Sequence, residues 1–573
     1  MDYASNGNGM PWLRAYPPGV DWAMALPQTT LPALFDAAVA RFGNRPCLEF
    51  LGRRWSYAEV GALVGHAAAG LHRLGIGPGS RVGLCLPNGP HYVIAFFAVL
   101  RTGATVVNCN PLYTEEELTR IVCDAGVEVM LAPDLRPIEA RVLGLLGTTP
   151  LRHIVICPFA EVMPWLKGLA FRLLKRGMID HAPDGETRVS TWRALLAGPA
   201  VALPPPQPGD IAVLQYTGGT TGLPKAAMLT HANLAANTRQ VTAWSPHLVP
   251  GAERMLAVLP FFHVFALTAC LLAAIAEGSE VILLPRFEAG PLLATLRRTR
   301  PTIFNVVPTL LKALMDAGIT RADLVSIKVC ISGGAPLPAE IQTRFEAIGA
   351  CRVVEGYGLT EASPVCLCNP LVGETRPGTI GLPLPGVRVE LRALDDPMRP
   401  VPLGERGEVC VAGPNVMAGY WNRPAETAEV LLPDGVLRTG DVGVMDDAGY
   451  VTLVDRIKDL IICSGYKVFP RMIEEALYKH PDVVAATVVG MPDAYRGESP
   501  AAFVELRPGS TATVEALHAM LAEALSPITL PKLIEIRPHL PRTAVGKLSK
   551  TELRAELKAR QAVQDPNPAG AAP

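Results

Sequence analysis

The chain has 573 residues, 49% of them hydrophobic and 18% charged, with a formal net charge of -1. That length exceeds one ordinary hydrophobic core and predicts two or more domains, while the balanced charge leaves no electrostatic footprint for nucleic acid. The 12 cysteines follow neither metal-ligand spacing nor a disulfide framework, and Cys366-Leu-Cys368 lacks a second pair, so reduced thiols in a cytoplasmic protein are expected.

Residues Met1–Met10 are polar and glycine-rich, with no basic start, apolar core or cleavage site, so no secretory signal is expected. Arg81–Leu86 reads as a strand, Tyr92–Arg101 as a helix and Ala104–Val107 as the next strand. Further apolar, β-branched runs follow at Val127–Leu131, Glu280–Leu284, Thr302–Val307 and Lys328–Ile331. This alternation predicts an α/β fold of mostly parallel, helix-covered sheets, with ligands at the loops beyond the strand ends. Between them, Met163–Met178 has helical order: Leu166, Leu169, Ala170 and Leu173 share one face, with Lys167, Arg172, Lys175 and Arg176 opposite. Two readings stand for it, a basic amphipathic helix on an anionic membrane and a surface helix packed on its own protein. Met255–Ala276 carries no formal charge, but Pro260 and His263 interrupt it, which favours a buried strand followed by a core helix over a membrane span.

From Val387 the pattern changes to short strands and turns, predicting an antiparallel β subdomain. Beyond Arg456, a helix at Pro470–His480 and strands at Val483–Gly490 and Ala501–Leu506 predict a compact α+β unit. Gln561–Pro573, rich in Pro, Ala, Gly and Asn, reads as a disordered tail. The expected domains are 1–455, a mobile 456–560, and the tail 561–573.

Tyr216-Thr217-Gly218-Gly219-Thr220-Thr221-Gly222-Leu223-Pro224-Lys225 is the most informative stretch. An apolar strand, Ile211–Leu214, runs into a loop of three glycines, three threonine hydroxyls and a lysine. Backbone N–H groups, hydroxyls and an ammonium gathered in one loop make a polyphosphate cradle. It is not the P-loop of common nucleotidases, which has Gly-Lys-Ser/Thr at the start of a helix.

This loop resembles the phosphate-binding signature of the adenylate-forming enzymes, which include acyl-CoA synthetases, luciferases and peptide-synthetase adenylation domains. Further segments match that family in order: Leu259–His263, Ser332–Leu337, Glu355–Glu361, Thr439-Gly440-Asp441, Asp455–Asp459 with Ser464–Lys467, and Leu540–Lys547. The resemblance spans Trp12 to about Leu557. Within the family, Trp12–Pro18, Asn108–Thr114 and Met163–Met178 are similar to bacterial long-chain fatty-acid–CoA ligases.

The resemblance implies ATP, Mg²⁺ and CoA as partners of a small carboxylic acid. Thr217, Gly218, Gly219, Thr220, Thr221, Gly222 and Lys225 would hold the β- and γ-phosphates, Thr360 would donate to the α-phosphate, and Glu361 would give Mg²⁺ a carboxylate oxygen. Gly334, Ala335, Gly356 and Tyr357 would form the adenine slot, with the Tyr357 ring stacking on the base, and Pro336, Glu355 and Gly358 would belong to the same ATP-binding segments. Asp441 would accept from the ribose hydroxyls and Arg456 would donate to the sugar. Lys547 would bridge the attacking carboxylate and the α-phosphate, stabilising developing charge. Lys458 stands at the hinge position, Ser464, Gly465 and Tyr466 would line the thiol tunnel, and Lys532 would meet CoA. His263 and Phe262 resemble the gate between ATP and an acyl pocket that Phe265 would enter, although His263 alone reads equally well as a core histidine.

Ala226 replaces the glycine usual after the lysine, which would cost about 1–2 kcal/mol if that position needs positive φ. Thr529-Leu530 replaces the usual Tyr-Lys before Pro531, which weakens the CoA-phosphate assignment. The expected activity is an AMP-forming acyl-CoA ligase acting on a medium- or long-chain fatty acid. A dicarboxylic or aryl acid, an acyl-AMP ligase loading a carrier protein, and a non-enzymatic acyl- or nucleotide-binding protein stand as alternatives.

Overall fold

The computed structural model describes residues 9–179, 186–217, 224–349, 351–464, 466–493, 495–542 and 548–564, with side chains through 560. Two of its sheets have the parallel order the alternation predicts. The larger runs Val189–Thr191, His153–Cys157, Val129–Pro133, Arg81–Leu84, Thr105–Asn108, Ile211–Thr217 and Lys225–Thr230, parallel except for the last pair. The second runs Ile303–Phe304, Arg254–Ala257, Glu280–Leu283, Pro46–Phe50 and Arg53–Ser56, again closed at one edge by an antiparallel hairpin. Both faces of parallel strands must be covered, and Pro90–Arg101, buried at every position except its last, is the most enclosed of the covering helices.

Local signals account for the helix ends. Thr114 accepts from the Glu117 amide while the Glu117 carboxylate accepts from Thr114, a reciprocal cap, and Gly126 ends that helix in the left-handed region. The uncharged run is the strand Arg254–Ala257 followed by a helix over 264–276 whose middle, Leu267–Leu272, is wound as π-helix. No helix among the described residues is long and apolar enough to cross a membrane.

A smaller sheet pairs Cys330–Gly333 in parallel with Val353–Gly358 and continues antiparallel through Val365–Cys368 and Leu382–Pro383. The antiparallel subdomain is a meander, Arg388–Arg392, Arg406–Ala412, Leu437–Met445 and Val451–Arg456. The C-terminal unit has its own five-stranded sheet built on Val483–Asp493 and Gly497–Leu506, and its own core around Ile473, Leu477, Val488, Val504 and Leu517. Its last helix, Lys550–Gln564, runs four residues into the stretch that reads as a tail. The architecture is therefore a large N-terminal domain and a small α+β C-terminal one. The strands Ile211–Thr217, Cys330–Gly333 and Val353–Gly358 all end at motif residues, as the strand-end rule requires.

Candidate active site

The phosphate loop is the tip of a hairpin in which Thr217 pairs with Lys225 and Tyr216 with Ala226. Gly218, Gly219, Thr220, Thr221 and Gly222 lie outside the described residues. Its base is tied down: Tyr216 donates from its hydroxyl to Asp124 at 2.7 Å, and Arg423 pairs with the other Asp124 oxygen at 2.8 Å. Ala226 sits extended and buried in the return strand, so the conformational cost considered for it does not arise.

The segment Met417–Trp421 lies along that return strand as an extra edge. Met228 donates to the Gly419 carbonyl at 2.9 Å, Ala418 to that of Met228 at 3.0 Å, and Trp421 to that of Ala226 at 2.8 Å. This places the Tyr420 ring 5.4 Å from the Lys225 ammonium and its hydroxyl 2.7 Å from Glu361 Oε1, to which it donates. Burial, and then the Glu361 charge, hold the Tyr420 hydroxyl protonated far above the ordinary range. The Met417 amide also donates to the Glu361 carbonyl at 2.8 Å. One aromatic side chain thus links the predicted phosphate lysine to the predicted metal carboxylate.

Glu361, half-buried and oriented by Tyr420, is a hard oxygen donor that fits a magnesium ion arriving with ATP. Among the described residues no cluster of three or more His, Cys, Asp or Glu could cage a cation, so phosphate oxygens and water would complete the sphere. Thr360 opens the short 3-10 turn that carries Glu361, with Leu359 alone between it and the end of the strand at Gly358.

The nucleoside side of the site joins three motifs. Tyr357 is buried and donates from its hydroxyl to Asp441 Oδ2 at 2.5 Å, while Arg456 Nε pairs with Asp441 Oδ1 at 2.9 Å. Asp441 is 6% exposed and Arg456 54%, so the carboxylate is recessed beneath an accessible guanidinium. Tyr357 therefore acts through its hydroxyl on Asp441. Gly334 is left-handed at φ +77° on an exposed loop with Ala335 and Pro336. At Gly358 an added Cβ would stand 1.9 Å from the Pro364 carbonyl oxygen, and at Gly356 one would touch the Ile331 side chain at 3.0 Å. Glu355 is buried, accepts from the Leu337 amide at 3.3 Å, and has its carboxyl pushed up to about 7 by burial, against the pull of Arg471.

A buried polar chain connects the phosphate strand to the predicted gate. Gln215, two residues before Thr217, donates to the Phe262 carbonyl at 2.8 Å and accepts from Asn108 Nδ2 at 2.9 Å. The Tyr92 hydroxyl lies 2.8 Å from Asn108 Oδ1 and 3.0 Å from the Phe261 carbonyl. His263 follows, half-buried at the cap of the helix, its ring 5.0 Å from that of Phe262. Phe265 packs on Gly333 so closely that an added Cβ would stand 2.9 Å from its ring. A cavity of about 390 Å³ is lined by apolar side chains such as Ala269, Ile303 and Ile331 and by the polar Asp21, Arg239 and Glu253.

Two family models match the chain, the AMP-binding enzyme over residues 35–421 and the AMP-binding enzyme C-terminal domain over 472–547. The chain belongs to the AMP-binding enzyme family. It is 40% identical over 554 residues to a long-chain-fatty-acid–CoA ligase of Bacillus subtilis, covering 95% of this chain and 98% of that one. A long-chain-fatty-acid–CoA ligase of Escherichia coli O6:H1 is 36% identical, over 96% and 98% of the two chains. Among solved structures, ATP-bound MatB from Rhodopseudomonas palustris superposes with a TM-score of 0.81 at 28% identity, covering 92% of this chain and 99% of that chain.

In this AMP-binding enzyme Lys458, at the expected hinge position, lies on the 3-10 turn Ile457–Asp459. Its ammonium titrates below the ordinary lysine range through burial and then Arg456, with Asp459, Asp441 and Glu361 pulling it back up. The turn is gripped from the C-terminal side: Asp459 pairs with Arg554 at 2.7 Å, and Asp455 accepts from the Arg471 amide at 2.8 Å. Ser464 is left-handed at φ +51° and exposed, as is Tyr466, while Gly465 lies outside the described residues. Lys532 pairs with Asp493 at 3.0 Å, so its charge is already compensated in this state. Lys547 also lies outside the described residues; the segment 543–547 is closed at its base by an antiparallel bridge between Arg542 and Leu548. Sequence reasoning missed Tyr420, Gln215 and Asn108. The sequence signal for Tyr420 is the Gly419-Tyr420-Trp421 cluster, where an aromatic pair follows a glycine at φ +138°.

Proposed function

We infer that the protein is an ATP-dependent, AMP-forming acyl-CoA ligase that activates a medium- or long-chain fatty acid. The observation that carries this is the grouping of Lys225 and Glu361 on Tyr420 and of Tyr357 and Arg456 on Asp441, the two clusters being joined through the short segment from Tyr357 to Glu361. One cluster suits a polyphosphate and its cation, the other a ribose.

In the first half-reaction a carboxylate oxygen attacks the α-phosphorus and pyrophosphate leaves, turning a poor leaving group into a good one. Lys225 holds the β- and γ-phosphates, Thr360 donates to the α-phosphate, and Glu361 would hold a magnesium ion, which would supply neutralising positive charge to the phosphates. Asp441 exchanges part of its hold on Tyr357 and Arg456 for the ribose hydroxyls. Lys547 bridges the reacting carboxylate and phosphate, and positioned charge of this kind is the largest single source of rate. In the second half-reaction the CoA sulfur attacks the acyl carbonyl and AMP leaves. The unit 456–560 turns about Lys458 between the two, withdrawing Lys547 and presenting Ser464, Gly465 and Tyr466 to the thiol.

The acyl chain enters past His263 and Phe262 and lies beyond Phe265. The apolar side of the 390 Å³ cavity, formed by Ala269, Ala273, Ile303, Val329 and Ile331, supports an alkyl occupant, with Arg239 and Glu277 on its polar side. The enzyme works in the cytoplasm, in peripheral contact with the inner face of the membrane that supplies the acid. A panel of fatty, dicarboxylic and aryl acids, followed by loss of free CoA thiol, tests the reading. Fastest turnover on fatty acids supports it, and turnover confined to aryl or dicarboxylic acids overturns the acid assignment.

A further inference from the structure

The helix Trp165–Leu174 is the reverse of an ordinary surface helix. Its apolar side chains are in solvent: Trp165 is 76% exposed, Leu166 60%, Leu169 51%, Leu173 62% and Leu174 81%, and Met178 in the following turn 43%. At 100° per residue these helical positions fill the half-turn that faces away from the protein. The side facing the protein is narrow. Gly168 is buried so tightly that an added Cβ would stand 2.6 Å from the Ala160 carbonyl oxygen, and the Phe171 ring packs 5.7 Å from that of Phe159. The helix is thus held at a fixed height by a glycine contact and one aromatic pair, with its greasy half outward.

Cations flank that half. Lys167 reaches back to donate to the Leu51 carbonyl at 2.7 Å, Arg172 stands 3.9 Å from Glu161, and Lys175 and Arg176 are exposed at the helix end. The structure adds one that sequence order hides: Arg53, at the tip of the neighbouring hairpin, is exposed and donates to the Glu161 carbonyl at 2.7 Å. The chain as a whole has a net charge of -1, so this is a local concentration of positive charge around an apolar ridge.

We propose that this ridge and its basic rim are the docking surface for an anionic lipid membrane, with Trp165 and the leucines below the headgroups and the cations on lipid phosphates. The proposal deepens the membrane contact in the functional reading above and does not depend on which acid is activated. Contiguous exposed apolar patches mark interaction sites. An apolar arc bordered by Lys and Arg, with a tryptophan at its edge, is the pattern that lies in a membrane interface. A second copy of this chain is a poorer occupant, because face-to-face contact would bring two basic rims together.

The test uses the full chain with vesicles of phosphatidylcholine alone or with phosphatidylglycerol added. The parent should sediment with anionic vesicles, be released by high salt only in part, and show a blue-shifted emission that Trp165→Phe abolishes. Leu169→Gln with Leu173→Gln should reduce binding at least tenfold at low salt, and Lys175→Glu with Arg176→Glu should remove the preference for anionic lipid. Activity on a soluble shorter acid should be kept by every variant; its absence from all of them, parent included, would count against the ligase reading and leave the docking result standing. A parent that stays in the supernatant, or variants that bind as the parent does, would overturn the proposal. So would a dimer that Leu169→Gln with Leu173→Gln dissolves without any vesicle binding, which would give the face to a second copy.

Discussion

Tyr420 is the residue on which the proposed phosphate side of the site turns, because it meets both Lys225 and Glu361. Tyr420→Phe keeps the ring beneath the ammonium and deletes only the hydroxyl bond to the carboxylate. A hydrogen bond to a charged group contributes about 1.5–3 kcal/mol, so acid-dependent ATP–pyrophosphate exchange should fall roughly 10- to 100-fold. Its magnesium titration should also move to higher concentration, and an unchanged titration would separate Tyr420 from the cation. Glu355 makes a second prediction, through pH. Its carboxyl is raised to about 7 from an ordinary 4.5 because it is buried. The folded state therefore holds a proton that the unfolded state releases, and the stability this adds is present at low pH and is lost as pH rises towards 7. The loss is on the order of 3 kcal/mol. Thermal melting from pH 5 to 7.5 should fall more steeply in the parent than in Glu355→Gln, and parallel curves would refute the assignment. Tyr357, Asp441 and Arg456 were legible in the sequence because each sits in a short motif of its own. Tyr420 was not, since the carboxylate that gives it meaning is 59 residues away.

At the scale of elements, the chain Tyr92–Asn108–Gln215–Phe262 couples a helix, two neighbouring strands and the gate loop. Gln215→Leu would leave Asn108 Nδ2 and the Phe262 carbonyl buried without their partner. A stranded buried polar group costs about 1–3 kcal/mol, so denaturant unfolding should register a loss of that order, together with slower adenylate formation. Full stability in the variant would mean that the strand and the gate are held by other contacts. The parallel strands and their covering helices follow from apolar runs alternating with helical periodicity. The hairpins that close both large sheets do not, because Arg53–Ser56 has only four residues, three of them polar, and Lys225–Thr230 opens on a lysine and ends on a threonine, so that only their neighbours give them a partner. The amphipathic order of Met163–Met178 was legible too. What remained hidden was the direction of its apolar face, because periodicity defines a face without saying what lies opposite. In the structure, Gly168 turns that face outward.

Over the whole molecule, the account divides two half-reactions between two positions of the C-terminal unit. Lys547→Ala should abolish adenylate formation yet leave thioester formation from supplied acyl-AMP largely intact, and equal loss of both in a folded variant would refute the division. Asp455 and Asp459 tie the turn at Lys458 to the C-terminal helices, the connection that the proposed rotation requires. The measurement that reaches the central claim most directly is the product balance with a long-chain fatty acid, ATP, Mg²⁺ and CoA, followed by mass spectrometry. The account predicts acyl-CoA, AMP and pyrophosphate in equal amounts, none of them formed without the acid. ADP and phosphate in their place, or acyl-AMP that accumulates while CoA stays free, would contradict it.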